Sequence, residues 1–319
     1  MRIFVTGGAG FIGSNYVRYV LGRTDDEVTV FDALTYAGNL DNLRGLDDDP
    51  RFAFVKGDIT DRDAVMHALA GHDVVVHFAA ESHVDRSIVS PDEFVHTNCD
   101  GTNVMCDVAR RVGVERFLHV STDEVYGSIE EGSFTERDPL CPRSPYSASK
   151  AGSDLIALSY HSTYGLPVVV TRSSNNFGPY QYPEKVIPLF VTNLLEGRKV
   201  PLYGDGLNVR DWCYVEDNCA AVDLVLRAGA VGEIYNIGAG NEVPNRELTD
   251  AILEILGHGE EMIEYVEDRL GHDRRYSIAT DKVRALGWAP AREFREALVE
   301  TVAWYRDNGW WWQPLKSRA

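Results

Sequence analysis

Apolar positions along the first half of the chain come in two rhythms. Compact runs of strand length occur at Arg2–Thr6 and at residues 28–31, 52–55, 74–78, 117–120 and 168–172. Between them apolar residues recur every three or four positions, as at Tyr16, Val17, Val20 and Leu21 and through residues 91–112, which is the spacing of one helix face. The run at 74–78 reads as a strand covered on both sides, the condition of a central parallel strand. Ser144 followed by Pro145 reads as an N-cap and a first helical residue.

This alternation predicts an α/β fold, a doubly wound parallel sheet of the Rossmann type, with ligands outside the carboxyl ends of its strands. Gly10, Asp32, Ala80, Thr122 and Asn175 all fall at or just past predicted strand ends, so they converge on one rim. Beyond Ser173 the rhythm weakens. Residues 174–180 read as loop, residues 183–197, 215–227, 246–256 and 294–305 as helices, and 234–237 as another strand. The expected division is a nucleotide-binding body at 1–178, to which segments near 211–237 return, and a smaller C-terminal α/β substrate-binding domain over 179–319. The tryptophans at 310–312 are expected to cover core or an interface.

With 319 residues, 44% of them hydrophobic, the chain has enough apolar surface for a sizeable core. Its formal charge of -18 argues against nucleic acid or an anionic membrane surface as partner, since both need basic patches. Five cysteines without C-x-x-C spacing signal neither a disulfide framework nor a metal site. The N-terminus passes directly into an apolar strand, and no apolar run approaches membrane-spanning length, so a cytoplasmic protein is expected.

The chemistry starts at Gly7-Gly8-Ala9-Gly10-Phe11-Ile12-Gly13, between a strand and a helix. Gly8, Gly10 and Gly13 satisfy G-x-G-x-x-G, and Gly7, Gly10 and Gly13 a wider spacing. Either reading brings bare backbone amides, with those of Phe11 and Ile12, to a pyrophosphate at a helix N-terminus. About twenty residues on, Asp32 is expected to bind the adenosine ribose and to repel a phosphate there, favouring NAD over NADP. Asp58 and Ile59 are expected at the adenine edge, and Ala79, Ala80 and Ser82 where the bound ligands pass.

Tyr146 and Lys150, four apart on the predicted helix, have Cβ atoms roughly 5–6 Å apart. A phenol that acts as a base near neutrality must lose about three units, or about 4 kcal/mol. An ammonium about 5 Å away supplies roughly 3 kcal/mol at an effective dielectric near 20, and an oxidised nicotinamide would complete the shift. Such a pair also arises by chance on amphipathic helices, so its meaning depends on the dinucleotide motif. Lys185, Arg210, Arg269 and His272 are candidates for a second diphosphate site in an otherwise acidic chain.

With these residues in view, the chain resembles the extended short-chain dehydrogenase/reductases that act on nucleotide sugars, and within them the dTDP-glucose 4,6-dehydratases. The resemblance runs through AAESHVDRSI (79–88), STDEVYG (121–127), YSASK (146–150), SNNFGPYQYPEKVIP (174–188) and DRLGHDRRY (268–276). It implies a bound NAD, dTDP-glucose as substrate and the 4-keto-6-deoxy sugar as product. Tyr146 would work at carbon 4 with Lys150 and Thr122, Glu124 would serve as the base at carbon 5, and Asp123 as the acid at carbon 6. The adjacent acids discriminate, because an epimerase needs no elimination. Two such carboxyls cannot both ionise cheaply, so one is expected to keep its proton. Neighbouring strand residues face opposite ways, so the backbone is expected to leave extended geometry after Thr122. The resemblance further implies Pro201, Tyr203 and Asn245 in the substrate site, and a homodimer formed through the helices at 91–112 and 145–164. Leu270, Cys213, Asn218 and Ala279 depart from the family's commoner residues, all outside the expected chemistry.

Overall fold

A computed structural model describes residues 1–268 and 271–317. In chain order the strands are β1 (Arg2–Thr6), β2 (Glu27–Asp32), β3 (Phe52–Lys56), β4 (Val74–His77), β5 (Arg116–Thr122) and β6 (Val168–Ser173). There follow β7 (Asn175–Phe177), β8 (Val200–Tyr203), β9 (Val209–Tyr214), β10 (Ile234–Ile237), β11 (Glu242–Pro244) and β12 (Ile263–Val266). The first helices are α1 (Phe11–Arg23), α2 (Arg62–Leu69), α3 (Val84–Val89), α4 (Pro91–Val95), α5 (Gly101–Val112) and α6 (Pro145–Tyr164). The later ones are α7 (Val186–Leu195), α8 (Val215–Ala228), α9 (Asn245–Leu256), α10 (Asp281–Ala285), α11 (Phe294–Asp307) and α12 (Gly309–Lys316).

Seven parallel strands form one sheet in the order β3-β2-β1-β4-β5-β6-β10, doubly wound as expected. The order reverses between β1 and β4, and a crevice opens there beyond their carboxyl ends. The strand period of two sorts the core. Ile3 and Val5 of β1, with Val74 and Val76 of β4, join the cluster under α1 and α8, whereas Phe4 and Val75 join the opposite one under α2, α5 and α6. His77 interrupts the apolar pattern of β4 and is tolerated because it is neutral and satisfied. Burial drives its pKa far down, and its ring nitrogens meet Thr6 Oγ1 at 2.7 Å and Thr102 Oγ1 at 3.1 Å.

A further core gathers Phe177, Phe190, Trp212, Ile252, Leu298 and Trp311 from the later chain. Around it lie a three-stranded sheet, β11-β9-β7, and a parallel pair, β12-β8. Segment 211–237 is shared. β9 lies in the small sheet, α8 packs on α1, and β10 adds to the edge of the large sheet.

Two sequence expectations change. Residues 175–177, read as loop, pair with β9, because β9 offers a backbone ladder that polar Asn175 and Asn176 do not advertise. The stretch 91–112 is one helical path interrupted by a wider π turn at His96–Asp100. Asn98 in that turn is buried and donates from Nδ2 to Glu81 O at 3.1 Å and to Ser149 Oγ at 2.8 Å. The extra residue in the turn brings this side chain to face both β4's end and α6.

Candidate functional site

The turn from β1 into α1 leaves no room for a side chain at Gly7 or Gly13. Gly7 has φ +68°, and a Cβ there would lie 2.6 Å from Ala79 N. One on Gly13 would lie 2.3 Å from Gly7 O. Gly8 instead packs against Val30. Gly7, Gly10 and Gly13 line a cavity of about 250 Å³ and Gly8 does not, so the wider spacing describes the ligand-facing glycines. Gly10 caps α1 without a side-chain hydrogen bond, and no acidic residue occupies the first turn, so the opening amides of α1 are available to an anion.

Asp32 closes β2 at the same rim. Its Oδ2 accepts from Ala9 N at 2.9 Å and its Oδ1 from Leu34 N at 2.8 Å, while burial pushes the carboxyl pKa up. Phe11, Ile12, Asp58, Ile59, Ala79, Ala80, Tyr146 and Lys150 all line this cavity. The bare glycine turn and the ribose-height carboxylate fit a dinucleotide.

Sequence reasoning missed Tyr36, Tyr180, Gln181 and Trp311 on this wall. Tyr180 is held at φ +68° by edge contacts with Trp304 at 4.8 Å and Trp311 at 5.8 Å. Trp311 donates from Nε1 to Asn42 Oδ1 at 2.8 Å, so one of the three tryptophans both fills core and borders the cavity. The tryptophan run was the available signal, but only packing decides which ring turns inward.

A second cavity of about 340 Å³ adjoins the first at Phe11, Ile12, Ser82 and Tyr146. The chain leaves β5 into a 3₁₀ turn, Asp123–Tyr126, capped by Thr122, whose Oγ1 accepts from Glu124 N at 3.3 Å. Thr122, Asp123 and Glu124 consequently line the same cavity as Tyr146, as the predicted break in extended geometry required. Asp123 is buried and its Oδ2 has no hydrogen-bond partner among the described residues, while Glu124 is half-buried. Burial, reinforced by Glu124 and Asp211, pushes the Asp123 carboxyl well above the usual range.

The helix bearing Tyr146 starts as its sequence dictates. Ser144 accepts from Ser147 N at 3.1 Å in a reciprocal capping box, with Pro145 at the first helical position. Lys150 donates to Val120 O at 2.8 Å, and burial pushes its ammonium down to about 8. The phenol of Tyr146 differs from expectation. Burial, then Glu124, push its pKa up, and a hydrogen bond with Thr122 pulls the other way, so the lysine four residues on is not what dominates the shift.

The far wall comes from the later chain. Asn175 opens β7, Lys185 precedes α7, Pro201 and Tyr203 lie on β8, Arg210 on β9, and Asn245 starts α9. Lys185 donates to Ser82 O at 2.9 Å, bridging the two halves. Arg210 donates to Asp273 O at 2.9 Å and lies over the Tyr276 ring at 4.2 Å. His272 contacts Asp268 at 2.6 Å and sets its ring edge to Tyr203 at 6.1 Å. Arg269 lies outside the described residues. Glu184, half-buried between the cavities with its carboxyl pushed up by desolvation, was not singled out from the sequence.

Comparison with known proteins agrees with this geometry. A family model described as GDP-mannose 4,6 dehydratase matches residues 4–301. The dTDP-glucose 4,6-dehydratase of Streptomyces antibioticus is 57% identical over 325 residues, covering 100% of this chain and 96% of that one. The crystal structure of DesIV, a dTDP-glucose 4,6-dehydratase from Streptomyces venezuelae with NAD and dTDP bound, superposes with a TM-score of 0.97 at 56% identity, covering 99% of this chain and 100% of that one. A UDP-glucose 4-epimerase from Thermus thermophilus in complex with NAD shares the fold at TM-score 0.89 and 34% identity, over 97% of this chain and 100% of that one.

Proposed function

The chain belongs to the GDP-mannose 4,6-dehydratase family, and from that premise we propose that it is a dTDP-glucose 4,6-dehydratase, which turns dTDP-glucose into dTDP-4-keto-6-deoxyglucose and water. One observation carries the choice over a 4-epimerase on the same fold: the Thr122-capped turn brings both Asp123 and Glu124 to the cavity that Tyr146 lines.

The opening amides of α1 with Gly7, Gly10 and Gly13 would hold the NAD pyrophosphate, and Asp32 its adenosine ribose. Held there, NAD would supply the oxidation at carbon 4, the return of the same hydride to carbon 6 once water has left, with a proton going back to carbon 5, and a positive charge that favours the Tyr146 phenolate. Tyr146 takes the proton of the carbon 4 hydroxyl, and Thr122 hydrogen-bonds that oxygen. The resulting ketone acidifies the proton on carbon 5, which Glu124 accepts. Asp123, held neutral by burial and by its acidic neighbours, donates a proton to the hydroxyl leaving carbon 6. Lys185, Arg210 and His272, and Arg269 from the sequence, would bind the diphosphate. Ser82, Asn175, Pro201, Tyr203 and Asn245 would border the sugar and nucleoside.

We further read residues 1–178, with 211–237 folded back, as the NAD-binding body and the rest as mainly substrate-binding, a division the hydrophobic clusters follow in the main, although Phe177, Trp212 and Tyr214 join the later core and Val283 and Trp288 the earlier one. A homodimer is supported by the apolar side chains exposed on α3, α4 and α6, which pack side by side: Val89 at 83%, Val95 at 52% and Leu155 at 60%. A cytoplasmic enzyme is consistent with five free cysteines, and no helix among the described residues is long and apolar enough to cross a membrane.

Incubation with dTDP-glucose in heavy water tests the assignment. A dehydratase yields a 4-keto-6-deoxy sugar carrying solvent deuterium at carbon 5. A galactose isomer without deuterium would identify an epimerase, and the absence of product would reject turnover of this substrate.

A further inference from the structure

The proposed reaction needs two sets of side chains at a fixed separation: Tyr146 and Lys150 on α6, and Asp123 and Glu124 on the turn after β5. Thr122 anchors the start of that four-residue turn. Its end is anchored out of reach of either cavity. The Tyr126 hydroxyl accepts from Arg172 Nη1 at 2.8 Å and donates to Asn236 Oδ1 at 2.8 Å, and its ring stacks on Phe134 at 5.2 Å. Arg172, at the end of β6, donates through Nε to Asp154 Oδ2 at 2.9 Å. Asp154 lies on α6, four residues past Lys150, and its other oxygen lies 3.2 Å from His119 Nε2 of β5.

Tyr126, Arg172, Asp154 and His119 are each at most 2% exposed and line neither cavity, so none acts by touching a ligand. Packing alone does not call for a buried ion pair, since apolar residues of similar volume hold a core as well or better. What charge-assisted hydrogen bonds add is fixed direction and distance between the elements they join.

We propose that Asp154, Arg172 and Tyr126 form a positioning relay that sets where the acid pair stands relative to Tyr146 and Lys150, and thereby governs the elimination step. The relay connects the helix that carries the oxidation chemistry to the last residue of the turn that carries the elimination chemistry. Gly127, at φ +85°, leaves the turn immediately afterwards, so Tyr126 is the last side chain able to restrain it. The kinetic part of the proposal rests on the dehydratase reading; the structural part does not.

Tyr126→Phe tests it, because the ring and its stack survive while the hydroxyl between Arg172 and Asn236 is lost; Arg172 and Asp154 variants would strand a buried charge and risk unfolding. With dTDP-glucose, kcat is expected to fall roughly 10- to 100-fold with KM within about threefold, the size of effect an ångström-scale misplacement produces. The deuterium isotope effect at carbon 5 of the sugar should rise and that at carbon 4 shrink. Independently of substrate, amide hydrogen exchange should quicken over residues 121–127 and stay unchanged over 145–164. Unchanged exchange at the turn, or native isotope effects, would overturn the relay. If native protein forms no 4-keto-6-deoxy sugar, the dehydratase reading fails while the exchange measurement still decides the relay.

Discussion

At the scale of single residues, two neighbouring carboxyls divide acid and base work only when their surroundings differ. Asp123 is buried, pushed toward its protonated form, while Glu124 is half-buried at the cavity wall. Glu124→Gln removes only the proposed base. It should slow elimination by about 10²–10⁴ and leave oxidation at carbon 4 intact, which rapid-mixing product analysis would resolve. Lys150, which lines the cofactor cavity with Tyr146, is expected to set the alkaline limit. Its ammonium, pushed down to about 8 by burial, keeps its charge below that pH and loses it above. The rate should therefore decline as pH rises through about 8, and a flat alkaline profile would remove Lys150 from the chemistry. The Tyr146 phenol is pushed the other way, so proximity to a lysine does not by itself make it a base.

Among elements, the glycine turn is the most constrained. Gly13→Ala drives a methyl group against Gly7 O. NAD affinity should drop roughly 100-fold, about 2.7 kcal/mol, while thymidine diphosphate binds as before, as paired calorimetric titrations would show. The elements that carry this turn and the Ser144 cap are legible in sequence because each is a local matter. An absent Cβ, a serine hydroxyl facing an amide three residues on, and a strand covered on both faces all leave marks within a dozen positions. The strand β7 and the π turn at His96–Asp100 leave none, since one exists only because β9 lies alongside and the other because Asn98 must meet Glu81 and Ser149.

For the whole molecule, the mutually packed helices α3, α4 and α6 each expose an apolar side chain, Val89, Val95 and Leu155. Burial of these side chains in the proposed two-fold dimer predicts that Leu155→Glu yields monomers by light scattering at micromolar concentration, with NAD binding retained. The site itself is a property of the assembled chain. Its near wall follows β1, β4 and β5, while its far wall arrives on β8, β9 and α9.

The sequence by itself determined the alternating architecture, the rim on which ligands gather, the glycine turn with Asp32, and the four-residue spacing of Tyr146 and Lys150. Each is written in short-range spacing, because backbone geometry repeats every two or 3.6 residues. Only the tertiary structure decided which glycines face the ligand, that Trp311 and Tyr180 close the cofactor wall, that burial raises Asp123 and Tyr146, and that Arg172 joins the acid turn to the tyrosine helix. Those outcomes depend on desolvation and on contacts between residues far apart in the chain, and neither has a period that a linear sequence can show.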